Sequence, residues 1–312
     1  MAYAWLIFGL VGLWAGSDLI VNAAKKVAKA LGVSELFIGL TIVSIGTSLP
    51  EIMVTVFSGL RDADGVGTGA IVGSCLTQIT LILGIAGLIH KLHSRKRALF
   101  FNGGMVLLSI ILFYIVGSTG GFISRTEGAF LIAVYIIYLL IAGRNEIFSE
   151  HLKDHKVAHR SHILRHFSLL FCGLVTLIYS ASLVMDNAIF LARSFNISEA
   201  FIGVMIVGVA TCLPELATAI TGILKKSPGL AVGTLIGSNI TDPLFSLGTG
   251  ALIKGFKIDP VLLSFDIPFW FFATILAMYL IYRRELTLNK NEAAILVVTY
   301  VVFLAVKINF FM

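Results

Sequence analysis

Residues 44–54 read SIGTSLPEIMV, and 164 positions later residues 208–218 read GVATCLPELAT. Each stretch sets a proline, a glutamate and hydroxyl-bearing side chains inside a long apolar run. A carboxylate in such a run is costly and marks a functional position by default. Working outward from the pair, residues 9–51 align with residues 173–215 without a gap, and about 18 of the 43 positions are identical. The shared set includes Ser34/Ser198, Glu35/Glu199, Gly39/Gly203, Thr47/Thr211, Pro50/Pro214 and Glu51/Glu215. The same offset lays GSCLTQ (residues 73–78) on GSNITD (residues 237–242), and Gly84 on Gly248. The chain therefore reads as a tandem duplication.

The surrounding composition says what is duplicated. Of 312 residues, 58% are hydrophobic and 13% charged, at a mean hydropathy of +0.97, against about a quarter charged in soluble domains. A bilayer-crossing helix needs about 20 apolar residues. Ten such spans are expected, at 2–22, 34–59, 67–89, 98–117, 127–143, 167–190, 198–224, 230–253, 261–282 and 292–311. The short alternating segments of a membrane β-barrel are absent. The expected class is an all-α membrane protein of ten transmembrane helices, with the lipid bilayer as its partner. The net charge of +6 belongs to basic residues flanking the spans and points to no nucleic acid. Cys75, Cys172 and Cys212 have neither metal-type spacing nor a disulfide pattern. The first apolar run reads as a permanent span, not a cleaved signal.

The basic residues test the count. With the N-terminus outside, about 17 of the 23 Lys and Arg residues fall on inner loops and about 6 on outer ones, the bias a cytoplasmic face produces. Both termini are then outside, in a membrane of prokaryotic cell type. The polar, His-rich stretch 144–166 reads as a solvated cytoplasmic linker between a first repeat, 1–143, and a second, 167–312. Five spans per copy is an odd number, so the second copy enters the membrane inverted. Inverted repeats with interrupted helices at matching positions point to a secondary transporter with a midplane site, and not to an enzyme.

Each copy offers two polar clusters. Thr47, Ser48 and Glu51 share one helix face by spacing, and Pro50 crowds the carbonyl of Gly46, so the helix must bend or break. The second copy repeats this with Thr211, Cys212, Pro214 and Glu215, where Ala210 carries the crowded carbonyl. The other cluster is Ser74 with Gln78, matched by Ser238 with Asp242. Glycines at 69, 73 and 84, and at 233, 237 and 248, are expected to let helices approach closely. Carboxylates, amides, hydroxyls and freed carbonyls are hard oxygen donors suited to calcium, sodium or magnesium. Asp18, Asp186 and Asp266 lie nearer span ends and read as interfacial or structural. Glu35 and Glu199 suit the first turn of a helix.

At GTSLPE and GSNITD the chain resembles the sodium/calcium exchangers of the calcium/cation antiporter superfamily, in particular their prokaryotic branch. That resemblance implies a sodium/calcium antiporter that needs no cofactor and binds one calcium or about three sodium ions at overlapping midplane sites. It also implies that Glu51 and Glu215 are the central ligands. The flanking hydroxyls carry over to Thr47, Ser48 and Thr211, and those of the second motif to Ser74 and Ser238. Main-chain carbonyls carry over to Ser44 and Gly208, and the amide/acid pair to Gln78 and Asp242. The first and sixth spans would slide against the rest. Three positions depart from the pattern: Cys212 in place of serine, Gln78 in place of asparagine or aspartate, and Cys75 in place of the asparagine of GSN. A thiol is a poorer sodium ligand than a hydroxyl, so stoichiometry stays open, as does coupling to protons or potassium. Asp242, if buried beside two carboxylates, is expected to be often protonated. A proton/cation or potassium-linked exchanger on the same scaffold is the alternative. An aspartyl protease would need a second aspartate where the repeat puts Gln78, and a non-transporting sensor would not need both motifs intact. The oligomeric state is not legible.

Overall fold

The computed structural model describes residues 2–60, 64–150, 160–194 and 208–311, and these are almost wholly helical. In chain order the helices are α1 (Ala2–Leu31), α2 (Glu35–Thr47), α3 (Leu49–Leu60), α4 (64–89), α5 (Lys96–Ser118), α6 (Arg125–Glu150), α7 (Arg160–Ser194), α8 (Leu213–Leu224), α9 (228–253), α10 (Leu262–Arg283) and α11 (Lys290–Phe311). Two-residue strands β1 (Leu92–His93), β2 (Phe122–Ile123), β3 (Phe256–Lys257) and β4 (Thr287–Leu288) stand at helix ends. Among the described residues seven helices are long and apolar enough to cross a membrane, and α2 with α3 makes an eighth as a bent pair. Trp14, Phe171 and Phe310 each expose more than three-fifths of their surface. Faces of that kind suit lipid far better than water.

Three helices overrun their expected ends. The α1 helix continues from residue 22 to Leu31, because AAKKVAKAL contains no breaker before Gly32. Gly32 takes φ +67°, the left-handed stop that glycine supplies at no steric cost. Ser34 then caps α2, its hydroxyl accepting from the Phe37 N–H at 3.1 Å. The α6 helix runs on to Glu150 and α7 starts at Arg160, so both ends of the expected linker are helical. Neither RNEIFSE nor RSHILRH holds a proline or glycine to stop them. The middle of the linker, Ser198, Glu199, Gly203 and the start of the expected 198–224 span lie outside the described residues.

The chain divides into two compact units, residues 1–47 with 140–234 and residues 48–139 with 235–312. Each unit draws on both sequence repeats. In the first unit α1 and α7 cross antiparallel along a glycine seam. A Cβ built on Gly9 would lie 2.7 Å from Val184 and 3.1 Å from the Ser180 carbonyl. One built on Gly173 would lie 2.8 Å from Ile20 and 3.2 Å from the Gly16 carbonyl. Residues 9, 16 and 20 are 164 positions before 173, 180 and 184, so the two glycines exchange equivalent partners. Ile20, Val21, Ala24, Val27, Leu174 and Leu177 fill the core around the seam.

The second unit shows the same exchange. Gly84 in α4 meets Ala293 and Val297 in α11, while Gly248 in α9 meets Gly128 and Ile132 in α6. Strand β1 pairs antiparallel with β4, and β2 with β3. Here the offset is 164 from β1 to β3 but 165 from β2 to β4, so the second copy gains one residue between the two strand positions. Not every motif glycine marks a close approach: a Cβ built on Gly69 or Gly73 would meet nothing within 4 Å among the described residues. The expectation of a close helix approach is corrected at those two positions, where a methyl group would fit without contact.

Candidate functional site

Both LPE motifs break their helices. α2 and α3 meet at Ser48 with a 40° bend, and in the second copy Thr211 and Cys212 interrupt the chain between a one-turn helix, Gly208–Ala210, and α8. Pro50 and Pro214 are each the second residue of the helix that follows, where the missing N–H costs nothing. Glu51 and Glu215 come third. They stand in a first turn whose N–H groups lack helical acceptors and which therefore favours negative charge. Both are buried, Glu51 at 1% exposure and Glu215 at 0%.

The hydroxyls before the break turn back on their own helix. Ser44 Oγ donates to the Leu40 carbonyl at 2.9 Å, and Thr47 Oγ1 donates to the Ser44 carbonyl at 3.3 Å. The Ser44 carbonyl singled out as a ligand thus already accepts one bond, with a second lone pair left. Thr211 Oγ1 lies 4.0 Å from Cys212 Sγ. Gly208 opens the one-turn helix, and its surroundings lie outside the described residues.

The second unit gathers a network on Asp242, in α9. One π-helical turn, Asp242–Ser246, starts at this residue, and another, Thr77–Ile82, occupies the matching place in α4. Such turns widen a helix and commonly mark functional positions. In α9 Pro243 supplies a cause, since its ring crowds the carbonyl of Asn239; Ser109 Oγ donates to that carbonyl at 3.4 Å. Donors converge on the carboxyl: Ser74 Oγ at 3.4 Å, Gln78 Nε2 at 3.5 Å and Cys75 Sγ at 4.0 Å reach Oδ2, and Ser246 Oγ at 3.3 Å reaches Oδ1. The Ser48 hydroxyl also lies beside Asp242, outside strict hydrogen-bond geometry. Asn239 Nδ2 donates to Gln78 Oε1 at 2.8 Å and to the Leu235 carbonyl at 3.1 Å. Trp270 Nε1, from α10, donates to Asn239 Oδ1 at 3.1 Å.

The network repeats the exchange seen at the glycines. Tyr135 bonds Thr241 at 3.0 Å, and Thr77 bonds Tyr300 at 3.2 Å. Cys75 reaches Asp242 while Asn239 reaches Gln78, and 75 and 78 are the repeat equivalents of 239 and 242.

Of the candidate residues, the second unit brings Ser48, Ser74, Gln78 and Asp242 together. It also buries Ser238, whose hydroxyl has no hydrogen-bond partner among the described residues. Glu51 is tied in through Thr55, which donates to the Glu51 carbonyl at 3.1 Å and the Ser246 carbonyl at 2.9 Å. Ser44, Thr47, Gly208, Thr211, Cys212 and Glu215 belong to the first unit. The Gln78 amide oxygen, like the Ser44 carbonyl, already accepts one bond, here from Asn239 at 2.8 Å. Sequence reasoning passed over Asn239, Trp270, Ser246, Tyr135 and Tyr300. The tyrosines carried a usable signal, being 165 residues apart, and so did Pro243, one turn after Asn239. Asp18 pairs with Lys225, and Asp266 with Lys307, in keeping with structural roles. Among the described residues no three His, Cys, Asp or Glu side chains gather, so a bound cation would draw on hydroxyl and carbonyl oxygens beside the carboxylates.

Buried acids after paired helix breaks are the setting in which comparison with known proteins becomes informative. The family described as sodium/calcium exchanger protein matches residues 1–143 and 165–309. The chain belongs to this family. As a sodium/calcium exchanger family member it is 32% identical to the inner membrane protein YrbG of Escherichia coli K12, over 98% of this chain and 96% of the relative. It is 27% identical to the sodium/calcium exchanger MaX1 of Methanosarcina acetivorans, over 96% and 97%. Its fold matches that of the sodium-calcium exchanger NCX_Mj, with a TM-score of 0.84 and 26% identity over 97% of this chain and 98% of that one. The exchanger family is one of transporters.

Proposed function

We propose that this protein is a secondary antiporter that exchanges sodium for calcium by alternating access, with Glu51 and Glu215 as its central cation ligands. One observation carries the reading. Two wholly buried glutamates stand at equivalent places in a duplicated chain, each in the first turn after a break in an apolar helix. A buried carboxylate that stays charged requires a compensating charge, and an exchanged cation is one. Thr47, Ser48, Ser74, Thr211 and Ser238 add hydroxyl oxygens, the Ser44 and Gly208 carbonyls add main-chain oxygens, and Asp242 adds a third acid. Cys212 contributes a soft sulfur where a hydroxyl would serve sodium better.

The mechanism follows from charge. Glu51 and Glu215 carry −2 between them, which one calcium ion balances. A neutralised site can pass an apolar barrier, and an empty −2 site cannot, so each cation is released only in return for another. The arrangement we propose is ten spans in two inverted five-span copies, with both termini outside. It is supported by the antiparallel crossing of α1 on α7 and by the exchanged partners at Gly9/Gly173, Gly84/Gly248 and Tyr135/Tyr300. The glycine seam makes α1 and α7 one body, the natural carrier of the alternation.

The test is calcium uptake into proteoliposomes under an outward sodium gradient, for the wild type, Glu51→Gln and Glu215→Gln. Uptake that requires the gradient and is lost in both variants is expected. Calcium uptake that ignores sodium and follows a pH gradient would transfer the reading to a proton-coupled exchanger.

A further inference from the structure

The orientation of Gln78 is fixed from outside the candidate ligand set. Side-chain amides can be turned by 180°, and only their partners decide which end is oxygen. An indole N–H donates and cannot accept. Trp270 is fully buried, and its Nε1 lies 3.1 Å from Asn239, so Asn239 must offer its oxygen there. Its nitrogen is then directed at Gln78, 2.8 Å away, and Gln78 must answer with its own oxygen. The remaining end of Gln78, the NH2, is left facing Asp242 Oδ2 at 3.5 Å. The Trp270 N–H, a donor only, and the Leu235 carbonyl, an acceptor only, thus agree on the direction of three successive hydrogen bonds.

We infer that Trp270, acting through Asn239, is a positioning residue for cation selection: it holds Gln78 with its amide nitrogen toward Asp242, so that Gln78 steadies this acid and is not itself a cation ligand. The inference deepens the exchanger reading and rests on it. A cation that uses Asp242 Oδ2 must compete with the Gln78 NH2 at the same oxygen. Losing the Trp270 N–H leaves the Leu235 carbonyl, 3.1 Å from Asn239 Nδ2, to hold the direction of the relay by itself. Asn239 is then held at one end in place of two, and whenever it and Gln78 turn over, Gln78 brings an oxygen to Asp242 in place of a donor. The apparent affinity for calcium should therefore change although Trp270 is two side chains removed from the acid.

The experiment is a double-mutant cycle on the full-length protein in proteoliposomes, comparing wild type, Trp270→Phe, Gln78→Met and the double variant. The readouts are the KM and the maximal rate for sodium-driven calcium uptake. A net hydrogen bond of ordinary strength corresponds to about a 2- to 10-fold change in KM. Trp270→Phe is expected to move KM by that amount with the maximal rate near wild type, and to have no further effect on KM once Gln78 is Met. A Trp270→Phe effect that persists undiminished in the Gln78→Met background, or that lowers only the maximal rate, would overturn the inference, because a packing role is blind to the residue at 78. A second readout does not depend on transport. The chain has three tryptophans, so the Trp270 indole N–H can be assigned in a 15N-labelled sample by loss of its signal in Trp270→Phe. Gln78→Met, which leaves Trp270 and Asn239 intact, is expected to shift that signal. An unmoved signal would refute the relay. A shifted signal in a protein that shows no sodium-driven calcium uptake would sustain the relay and refute the exchanger reading.

Discussion

The α1–α7 seam predicts a quantitative and symmetric response to one methyl group. In Gly9→Ala the new Cβ would meet Val184 at 2.7 Å, about 0.7 Å inside the 3.4 Å at which ordinary contact begins, with the Ser180 carbonyl and Val184 backbone nitrogen at 3.1 and 3.2 Å. In Gly173→Ala it would meet Ile20 at 2.8 Å, with backbone atoms of Ile20 and Gly16 at 3.1 and 3.2 Å. Side-chain movement alone cannot clear backbone atoms, so the helices themselves must part. Overpacking of this kind costs about 1–3 kcal/mol, offset by less than about 1 kcal/mol of improved helix propensity. A net loss of about 1–2 kcal/mol is expected for each single variant. Once one methyl has opened the seam, the second meets a wider gap, so the double variant should lose less than the sum of the two. Gly104, in α5, has nothing within 4 Å among the described residues, and Gly104→Ala should be neutral or slightly stabilising. The assay is equilibrium unfolding in mixed micelles. Neutral Gly9→Ala and Gly173→Ala variants, or two losses that add in full, would refute the account of a single tight seam.

Two further predictions concern stability. Tyr135→Phe and Tyr300→Phe each remove one buried hydroxyl bonded to Thr241 or Thr77, and each should cost about 0.5–1.5 kcal/mol by the same unfolding assay; effects that differ by more than that range would count against equivalent roles. Lys307→Met strands Asp266, which is 2% exposed, and should cost about 3 kcal/mol; the double variant Asp266→Asn, Lys307→Met should recover most of that loss, and its failure to do so would show that the charge pair is not the cause.

Much of this architecture was written in plain residues. Long apolar runs, an offset of 164 that holds without a gap over residues 9–51, and a proline beside each glutamate required no knowledge of tertiary contacts. The breaks at Ser48 and at Thr211–Cys212 lie where Pro50 and Pro214 demand them. The π turns were less visible, because only one of the two contains a proline; nothing in TQITLI marks the widening of α4. The role of Gln78 could not be read at all. An amide looks the same from either end, and the residue that decides between the ends, Trp270, is 31 positions from Asn239 and on another helix. The 165-residue spacing of Tyr135 and Tyr300 was present in the sequence but hidden by the assumption of a constant offset.

Among the positions at which the two copies differ, the pair Gln78 and Asp242 has a chemical rationale. If an approximate two-fold relates the copies, residue 78 of one meets residue 242 of the other. Aspartate at both places would set two buried carboxylates within reach of each other, and both could not stay ionised. Glutamine at both places would remove the third acid that Asp242 adds to Glu51 and Glu215. One acid with one amide satisfies both limits, because the amide has a donor where a second acid would have only an acceptor. The same logic extends to 75 and 239. Opposite Asp242 stands Cys75, whose thiol is a weak donor at 4.0 Å and competes little for the carboxyl. Opposite Gln78 stands Asn239, which can do what a thiol cannot: accept from Trp270 at one end and donate to Gln78 at the other. At these two pairs each departure from symmetry thus faces a partner of matching hydrogen-bond chemistry, Gln78 toward Asp242 and Asn239 toward Gln78.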